Sequence, residues 1–121
     1  MPSNVPEHGA FAEAFWLKDI TELLAGDLES GLNVCVECCD RYAESDRVAL
    51  YWEGADGATE TLTFAELQAR AARFANLLTS QGIGPGDPVA CMLPRIPDLF
   101  AVALGVWRVG AVYVPLFTAF G

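Results

Sequence analysis

Cysteine is the residue type in this sequence that supports the widest range of chemistry. Three of the four cysteines lie close together: Cys35 and Cys38 form a C-x-x-C spacing, and Cys39 follows directly. That spacing is typical of zinc and redox sites. A structural zinc site needs four ligands, but the one histidine is His8 in the N-terminal tail, and Cys91 falls in a predicted strand. We therefore interpret the cysteines as reduced core residues and predict no metal site.

A second candidate for chemistry is the glycine-rich run at residues 82–86, Gly-Ile-Gly-Pro-Gly. In a phosphate-binding loop, such a run follows a strand and opens a helix, so that helix N-terminal amides face the phosphate. Here the order is reversed, because a predicted helix ends at Gly82 and a predicted strand follows Asp87. We interpret the run as a turn. The sequence has no H-E-x-x-H, G-x-S-x-G or Walker motif, and we predict no catalytic residue within it.

The overall composition limits the classes of partner. The 121 residues are 53% hydrophobic, and 16 acidic against 7 basic residues give a net charge of −9. This charge argues against nucleic acid or an anionic membrane as a partner, because phosphate binding depends on clustered Lys and Arg. Residues 99–117 are apolar, but Arg108 and three helix-breaking residues interrupt them, which argues against a membrane span. We expect a cytoplasmic protein.

The elements that must position any site begin with two predicted helices. The first covers residues 11–24, and the second covers residues 33–44, with Asn33 as its N-cap. The second helix places one set of side chains on a common face that we predict to be buried: Val34, Cys35, Cys38, Cys39 and Tyr42.

A hairpin and a long helix are predicted next. Residues 47–52 and 59–63 are rich in β-branched and aromatic residues and flank a Gly-Ala-Asp-Gly turn. Thr63 and Glu66 form the S/T-x-x-E pattern of a capping box. The helix that follows has an apolar stripe and a natural stop at Gly82; the stripe consists of Phe64, Leu67, Ala71, Phe74 and Leu78.

The last third predicts a βαβ unit. Two apolar strands, at residues 89–93 and 112–114, flank an apolar helix at residues 98–109. The fold class is therefore α/β, with strands that we expect to be buried on both faces. A parallel sheet of this kind needs further strands and covering helices. We expect a chain with unpaired strand edges to self-associate.

Several short motifs occur in a familiar order. They are T-F-A-E-L at residues 63–67, A-N-L-L at 75–78, G-I-G-P-G-D-P-V at 82–89, P-R-I-P-D at 94–98 and G-A-V at 110–112. Together these motifs closely resemble the N-terminal region of the adenylate-forming enzymes, the acyl-CoA synthetase and ligase superfamily. The ending, P-L-F-T-A-F-G, is most similar to acetyl-CoA synthetases and short- to medium-chain acyl-CoA synthetases.

The resemblance implies a two-step reaction. A small carboxylic acid attacks the α-phosphate of Mg-ATP to give an acyl-adenylate, and the thiol of CoA then displaces AMP. The family's phosphate loop, its Glu for Mg²⁺, its ribose-binding Asp and its catalytic Lys all lie beyond the matched region. The resemblance therefore implies an N-terminal fragment that is inactive alone and needs no cofactor. Residues 1–32 would be an extension, and residues 33–121 an incomplete AMP-binding domain.

The resemblance also implies one binding loop. Phe117, Thr118 and Ala119 match the loop that approaches the nucleotide end of CoA in acetyl-CoA-synthetase-like members. The alternative is a structural turn packed by Phe117 and Phe120. Arg95 and Arg108 are further candidates for phosphate contacts. Arg108 lies near the end of the predicted helix, where its positive charge more simply offsets the helix dipole.

Two other functions remain open. One is a stand-alone binding or dimerisation module, in which Trp107, Tyr113 and Phe117 supply interface area. The other is a fragment of a different adenylate-forming ligase.

Overall fold

The computed structural model describes residues 21–120. The chain divides into two units, Met1–Leu32 and Asn33–Gly121. Of the helix predicted over residues 11–24, residues 21–23 are helical, and residues 11–20 lie outside the described residues. The described part of the first unit also contains a turn in which Asp27 Oδ1 accepts a hydrogen bond from the Glu29 amide at 3.0 Å.

The second unit begins with a short helix, α1, at Val34–Cys38. As predicted, Asn33 is its N-cap, and its side chain accepts a hydrogen bond from the Cys35 amide at 3.0 Å. The single helix predicted for residues 33–44 is wrong. The backbone leaves the helical region at Cys39, where φ is −135°, and a 3₁₀ turn follows at Asp40–Tyr42.

The cysteines do not share one buried face. Cys35 and Cys39 are fully buried, whereas Cys38 is exposed, so the prediction that all three pack in the core is wrong for Cys38. Val34, also predicted to be buried, is 43% exposed. The helix ends at Cys38 and the backbone of Cys39 is not helical, so the single face expected of a helix over residues 33–44 does not form.

The predicted hairpin is present as β1 at Val48–Glu53 and β2 at Thr59–Thr63, paired antiparallel. The first strand begins one residue later than predicted. The long helix, α2, covers Phe64–Ser80, and both halves of the predicted capping box between Thr63 and Glu66 form. Gly82 follows the helix with φ +77°, the left-handed conformation that a glycine stop requires.

The predicted βαβ unit is also present. Strand β3 at Pro88–Cys91 pairs in parallel with β4 at Val112–Pro115, and helix α3 at Asp98–Arg108 connects them. Gly110, with φ +75°, ends the helix and turns the chain into β4. The α/β assignment and the order of these elements therefore agree with the sequence prediction.

The core lies between the three helices and the two strand pairs. One cluster joins α1, α2 and α3 through Cys35, Cys39, Leu67, Ala71, Ala101 and Leu104, and a second joins α2, α3 and β4 near Leu78, Val106 and Ala111. Small residues bring α2 and α3 close together. A Cβ on Gly105 would lie 2.9 Å from the Ala71 carbonyl oxygen.

The prediction that the parallel strands are buried on both faces is only partly correct. Cys91 is buried, but Ala90 and Val112 are exposed. Within the described residues, β3 and β4 have only each other as sheet neighbours. Between residues 21 and 120 there is no helix with the length and apolar character to cross a membrane.

Candidate functional site

The carboxyl ends of β3 and β4 meet at one edge of the parallel pair. Cys91 lies opposite Pro115, and the Leu116 amide donates to the Cys91 carbonyl at 2.8 Å, which continues the ladder one residue further. In open α/β sheets, ligands bind in the crevice outside the carboxyl ends of the strands. This edge is therefore the first place to look for a site.

The loop between β3 and α3 forms one wall of the site. Its backbone is held in two ways: the Ile96 amide donates to the Pro94 carbonyl at 2.8 Å, and the Trp52 indole nitrogen donates to the Arg95 carbonyl at 2.6 Å. Pro94 and Pro97 restrict φ on either side of these contacts. The loop is consequently fixed to the hairpin, while the Arg95 residue remains exposed.

The residues after β4 form the opposite wall. Phe117 is 74% exposed, and a 3₁₀ turn begins at Thr118 and runs to Phe120. The ring of Phe117 is therefore open to solvent over most of its surface.

Between these walls lies a groove of about 230 Å³, which we call the strand-end groove. Arg95, Phe117 and Thr118 line it together with Tyr113 and Leu99. The structure thus brings two of the three predicted loop residues together with Arg95. Ala119, the third, does not line the groove.

The floor of the groove is held by aromatic packing. Trp107 and Tyr113 meet edge to face, with ring centroids 5.9 Å apart. Burial raises the pKa of the Tyr113 hydroxyl, and its hydrogen bond with Cys91 raises the pKa further. Tyr113 therefore stays neutral at ordinary pH. The sequence analysis did not assign Tyr113 or Cys91 to this site, although their positions at the ends of paired strands could have indicated it.

Arg108, the other candidate for a phosphate contact, is already paired. Its Nη2 lies 2.5 Å from Asp40 Oδ1, and its carbonyl accepts a hydrogen bond from Asn33 Nδ2 at 3.1 Å. Asp40 also accepts a hydrogen bond from the buried Cys35 thiol at 3.8 Å. These contacts join α3 to the region of α1, so the structure gives Arg108 a structural role.

The glycine-rich run is a turn, as predicted. Its amides donate to groups of the chain itself: the Gly84 amide to Asp87 Oδ2 at 2.9 Å, and the Gly86 amide to the Gly110 carbonyl at 3.0 Å. Amides committed in this way have no hydrogen left for a phosphate.

The cysteines form no metal centre in the part of the chain that the structure describes. No three His, Cys, Asp or Glu side chains among residues 21–120 are grouped as metal ligands, and the four thiols are free. Burial is the main reason that the pKa values of Cys35 and Cys39 rise to about 11. These two thiols therefore stay protonated and are weak nucleophiles.

Comparison with known proteins identifies relatives over most of the chain. The sequence pattern described as "AMP-binding enzyme" matches residues 38–121. Acetyl-coenzyme A synthetase of Sodalis glossinidius is 41% identical over 92 residues, which are 74% of this chain and 14% of that protein. The enzyme of the same name from Vibrio parahaemolyticus is 34% identical over 128 residues, which are 94% of this chain and 19% of that protein.

A solved structure agrees with the sequence matches. The crystal structure of Brucella canis acyl-CoA synthetase superposes with a TM-score of 0.84 and 45% identity, over 97% of this chain and 22% of that chain. This chain thus spans between 14% and 22% of the length of these three relatives.

Proposed function

Because this chain belongs to the family of AMP-binding enzymes, we propose that it forms part of an acyl-CoA synthetase. In the proposed reaction, a small carboxylic acid attacks the α-phosphate of ATP, with Mg²⁺ bound to the nucleotide, and releases pyrophosphate. The thiol of CoA then attacks the acyl-adenylate and displaces AMP.

The observation that carries this proposal is the structural match. At 45% identity, the backbone follows Brucella canis acyl-CoA synthetase with a TM-score of 0.84. The match confirms the fold class, a partial N-terminal subdomain of an adenylate-forming enzyme. The sequence contains no Ser/Thr/Gly-rich loop ending in Pro-Lys-Gly. We therefore propose that this chain supplies structure and a ligand surface, and that the groups acting on ATP lie in other parts of the enzyme.

We further propose that Phe117, Thr118 and Ala119 face the nucleotide end of CoA. For Phe117 and Thr118, which line the strand-end groove, the position of the groove supports this, since it lies just outside the carboxyl ends of parallel strands. The exposed Phe117 ring offers a flat apolar face of the kind on which a nucleotide base stacks. The groove would then act in the second step of the reaction and not in the first.

A second candidate function, a dimerisation module, is favoured by the exposed apolar residues near β4. Phe100, Val112, Leu116 and Phe117 are between 47% and 74% exposed. Such residues beside an unpaired strand promote association. Sedimentation of the purified chain tests this function, which predicts a dimer of defined size. A monodisperse monomer would argue against it.

A chimera tests the enzymatic proposal. The region of Brucella canis acyl-CoA synthetase that matches this chain is replaced by this chain's residues, and pyrophosphate release and thioester formation are measured with ATP, Mg²⁺, CoA and short-chain carboxylic acids. We expect the chimera to carry out both steps. The purified chain alone should release no pyrophosphate above background, because it lacks the groups that stabilise the transferring phosphate.

Two results would contradict the proposal. One is a chimera that is folded by circular dichroism and thermal unfolding but catalyses neither step. The other is robust pyrophosphate release by the chain alone, which would place the catalytic groups within these residues.

A further inference from the structure

We propose that Arg95 binds a phosphate group of the CoA nucleotide in the strand-end groove. This inference rests on the proposed function and adds to it a residue that the matched loop does not include. Arg95 lies 22 positions before Phe117 in the sequence, yet the fold places both on one groove.

The charge of the groove is the first argument. The chain carries a net charge of −9, with 16 acidic and 7 basic residues. The strand-end groove is lined by Arg95 and by no Asp or Glu. Within the described residues, the ion pairs of Arg41, Arg70 and Arg108 do not involve this groove, and Arg95 has no carboxylate partner there. An unpaired guanidinium of this kind is a strong partner for phosphate, because its planar N–H groups can make two parallel hydrogen bonds.

The rigidity of the Arg95 backbone is the second argument. The Trp52 indole holds the Arg95 carbonyl from the hairpin side, and Pro94 precedes it. A ligand therefore orders one side chain rather than a whole loop, which reduces the entropy lost on binding.

The third argument is the combination of chemical groups. Phe117 offers an exposed ring for a base, and the hydroxyl of Thr118 is a second hydrogen-bond donor on the same wall. A ring, a hydroxyl and a guanidinium around one groove match the base and the phosphate of a phosphorylated nucleotide. CoA offers two kinds of phosphate, the 3′-phosphate and the pyrophosphate bridge.

The test combines Arg95→Ala with a matched control. Arg73→Ala removes the same charge from an exposed arginine that lines a different groove, between α2 and α3. In the chimera, we expect Arg95→Ala to raise the KM for CoA about tenfold, the effect of one lost charged hydrogen bond. Pyrophosphate release in the first step should be unchanged, and Arg73→Ala should leave both steps unchanged. Arg95→Lys should restore part of the loss.

Dephospho-CoA, which lacks the 3′-phosphate, distinguishes the two sources of phosphate. If the penalty of Arg95→Ala disappears with this substrate, Arg95 binds the 3′-phosphate; if it persists, Arg95 binds the pyrophosphate bridge. An unchanged KM for CoA in Arg95→Ala, or an equal loss of the first step, would overturn the inference.

Direct binding separates this inference from the proposed function. The purified chain is titrated with adenosine 3′,5′-bisphosphate, and binding is followed by NMR shifts of the backbone amides of Phe117 and Thr118. We expect weak binding that falls with added salt and is lost in Arg95→Ala but kept in Arg73→Ala. If the chain binds in this way but its chimera makes no thioester, the result would support the Arg95 phosphate site and contradict the proposed enzymatic function. Equal binding by the parent and Arg95→Ala would overturn the site.

Discussion

Two regions of the second unit use their side chains in opposite ways. In the helix layer, formed by α1, α2 and α3, side chains are small and buried, and the charged pair Arg108–Asp40 is partly withdrawn from solvent. In the strand-end groove, a large aromatic ring and an arginine stand exposed. We therefore expect a change of side-chain volume or charge to destabilise the protein strongly in the helix layer and only weakly in the groove.

This difference separates stability from ligand binding. Burial of apolar surface and close packing stabilise the folded state, so substitutions in the helix layer should change the free energy of unfolding. Exposed groups gain little by folding, so substitutions in the groove should change ligand use alone. Variants in the two regions test that separation.

Gly105→Ala should have the largest effect on stability. The new Cβ would meet the Ala71 carbonyl oxygen at 2.9 Å and the Phe74 ring at 2.9 Å, so the two helices would have to move apart. Overpacking of this kind costs about 2 to 3 kcal/mol of unfolding free energy, measured by chemical denaturation. The control is Gly84→Ala, where no atom lies within 4 Å and φ is not positive.

The control should stay within about 0.5 kcal/mol of the parent. Equal stability of Gly105→Ala and the parent would show that α2 and α3 adjust freely. The helix layer would then be no more tightly packed than the surface.

Much of the helix layer could be predicted because its signals are local. The Asn33 cap, the Thr63–Glu66 capping box and the Gly82 stop each depend on residues within a few positions of one another. The parallel strand pair was also predicted, since two apolar strands around one helix have few other arrangements. Local rules failed at Cys39, where the helix that the periodicity would have continued ends at a buried residue whose thiol donates to the Phe64 carbonyl, 25 positions away.

The candidate site was less predictable because its contacts are long-range. The loop at residues 117–119 came from a family resemblance. Arg95 was a separate candidate for a phosphate contact, and no local pattern places it beside that loop, 22 positions away. Likewise, the ion pair between Arg108 and Asp40 joins residues 68 positions apart. Such partners follow from how the helices and strands pack, and the pattern of one segment does not contain that information.

Asp40→Asn should have the next largest effect. The Asp40 side chain is 16% exposed and that of Arg108 is 28% exposed, so the variant leaves a partly buried guanidinium without its charge partner. We expect a loss of about 1 to 2 kcal/mol, less than for a fully buried pair. In the control, Asp98→Asn, the side chain is 61% exposed and contacts Arg70 at 3.3 Å, and exposed pairs contribute about 0 to 1 kcal/mol. Similar losses in both variants would contradict the expectation that the partly buried ion pair contributes more to stability than the exposed one.

Alkaline pH should weaken the helix layer through its buried thiols. Burial raises the pKa of Cys39 from 9.0 to about 11 and that of Cys35 equally. A raised folded-state pKa gives stability that is fully present below pH 9 and lost as pH rises through 11. At pH 10 we expect a loss of about 1 kcal/mol per thiol.

Cys39→Ala tests this cause, because it should reduce the fall in unfolding free energy between pH 8 and pH 10. Thr63→Ala controls for the effect of a general loss of stability on the pH profile. It removes a helix cap at a cost of about 1 kcal/mol and leaves both thiols in place. A pH profile that is the same for Cys39→Ala as for the parent would show that the thiols do not cause the loss.

Phe117→Ala should have the smallest effect on stability and the clearest effect on function. Because the ring is 74% exposed, its removal should change the unfolding free energy by less than about 0.5 kcal/mol. If the ring stacks on the nucleotide of CoA, the same variant should raise the KM for CoA in the chimera by roughly 5- to 150-fold, since one stacked base is worth about 1 to 3 kcal/mol. Denaturation and the two-step assay are measured on the same preparation.

Tyr51→Ala is the control, because it removes a ring that is 77% exposed on the hairpin, away from the groove. A large stability loss in Phe117→Ala would mean that the ring belongs to the packed part of the molecule. Phe117 would then contribute to stability, and the proposed separation of stability in the helix layer from ligand binding in the groove would be contradicted.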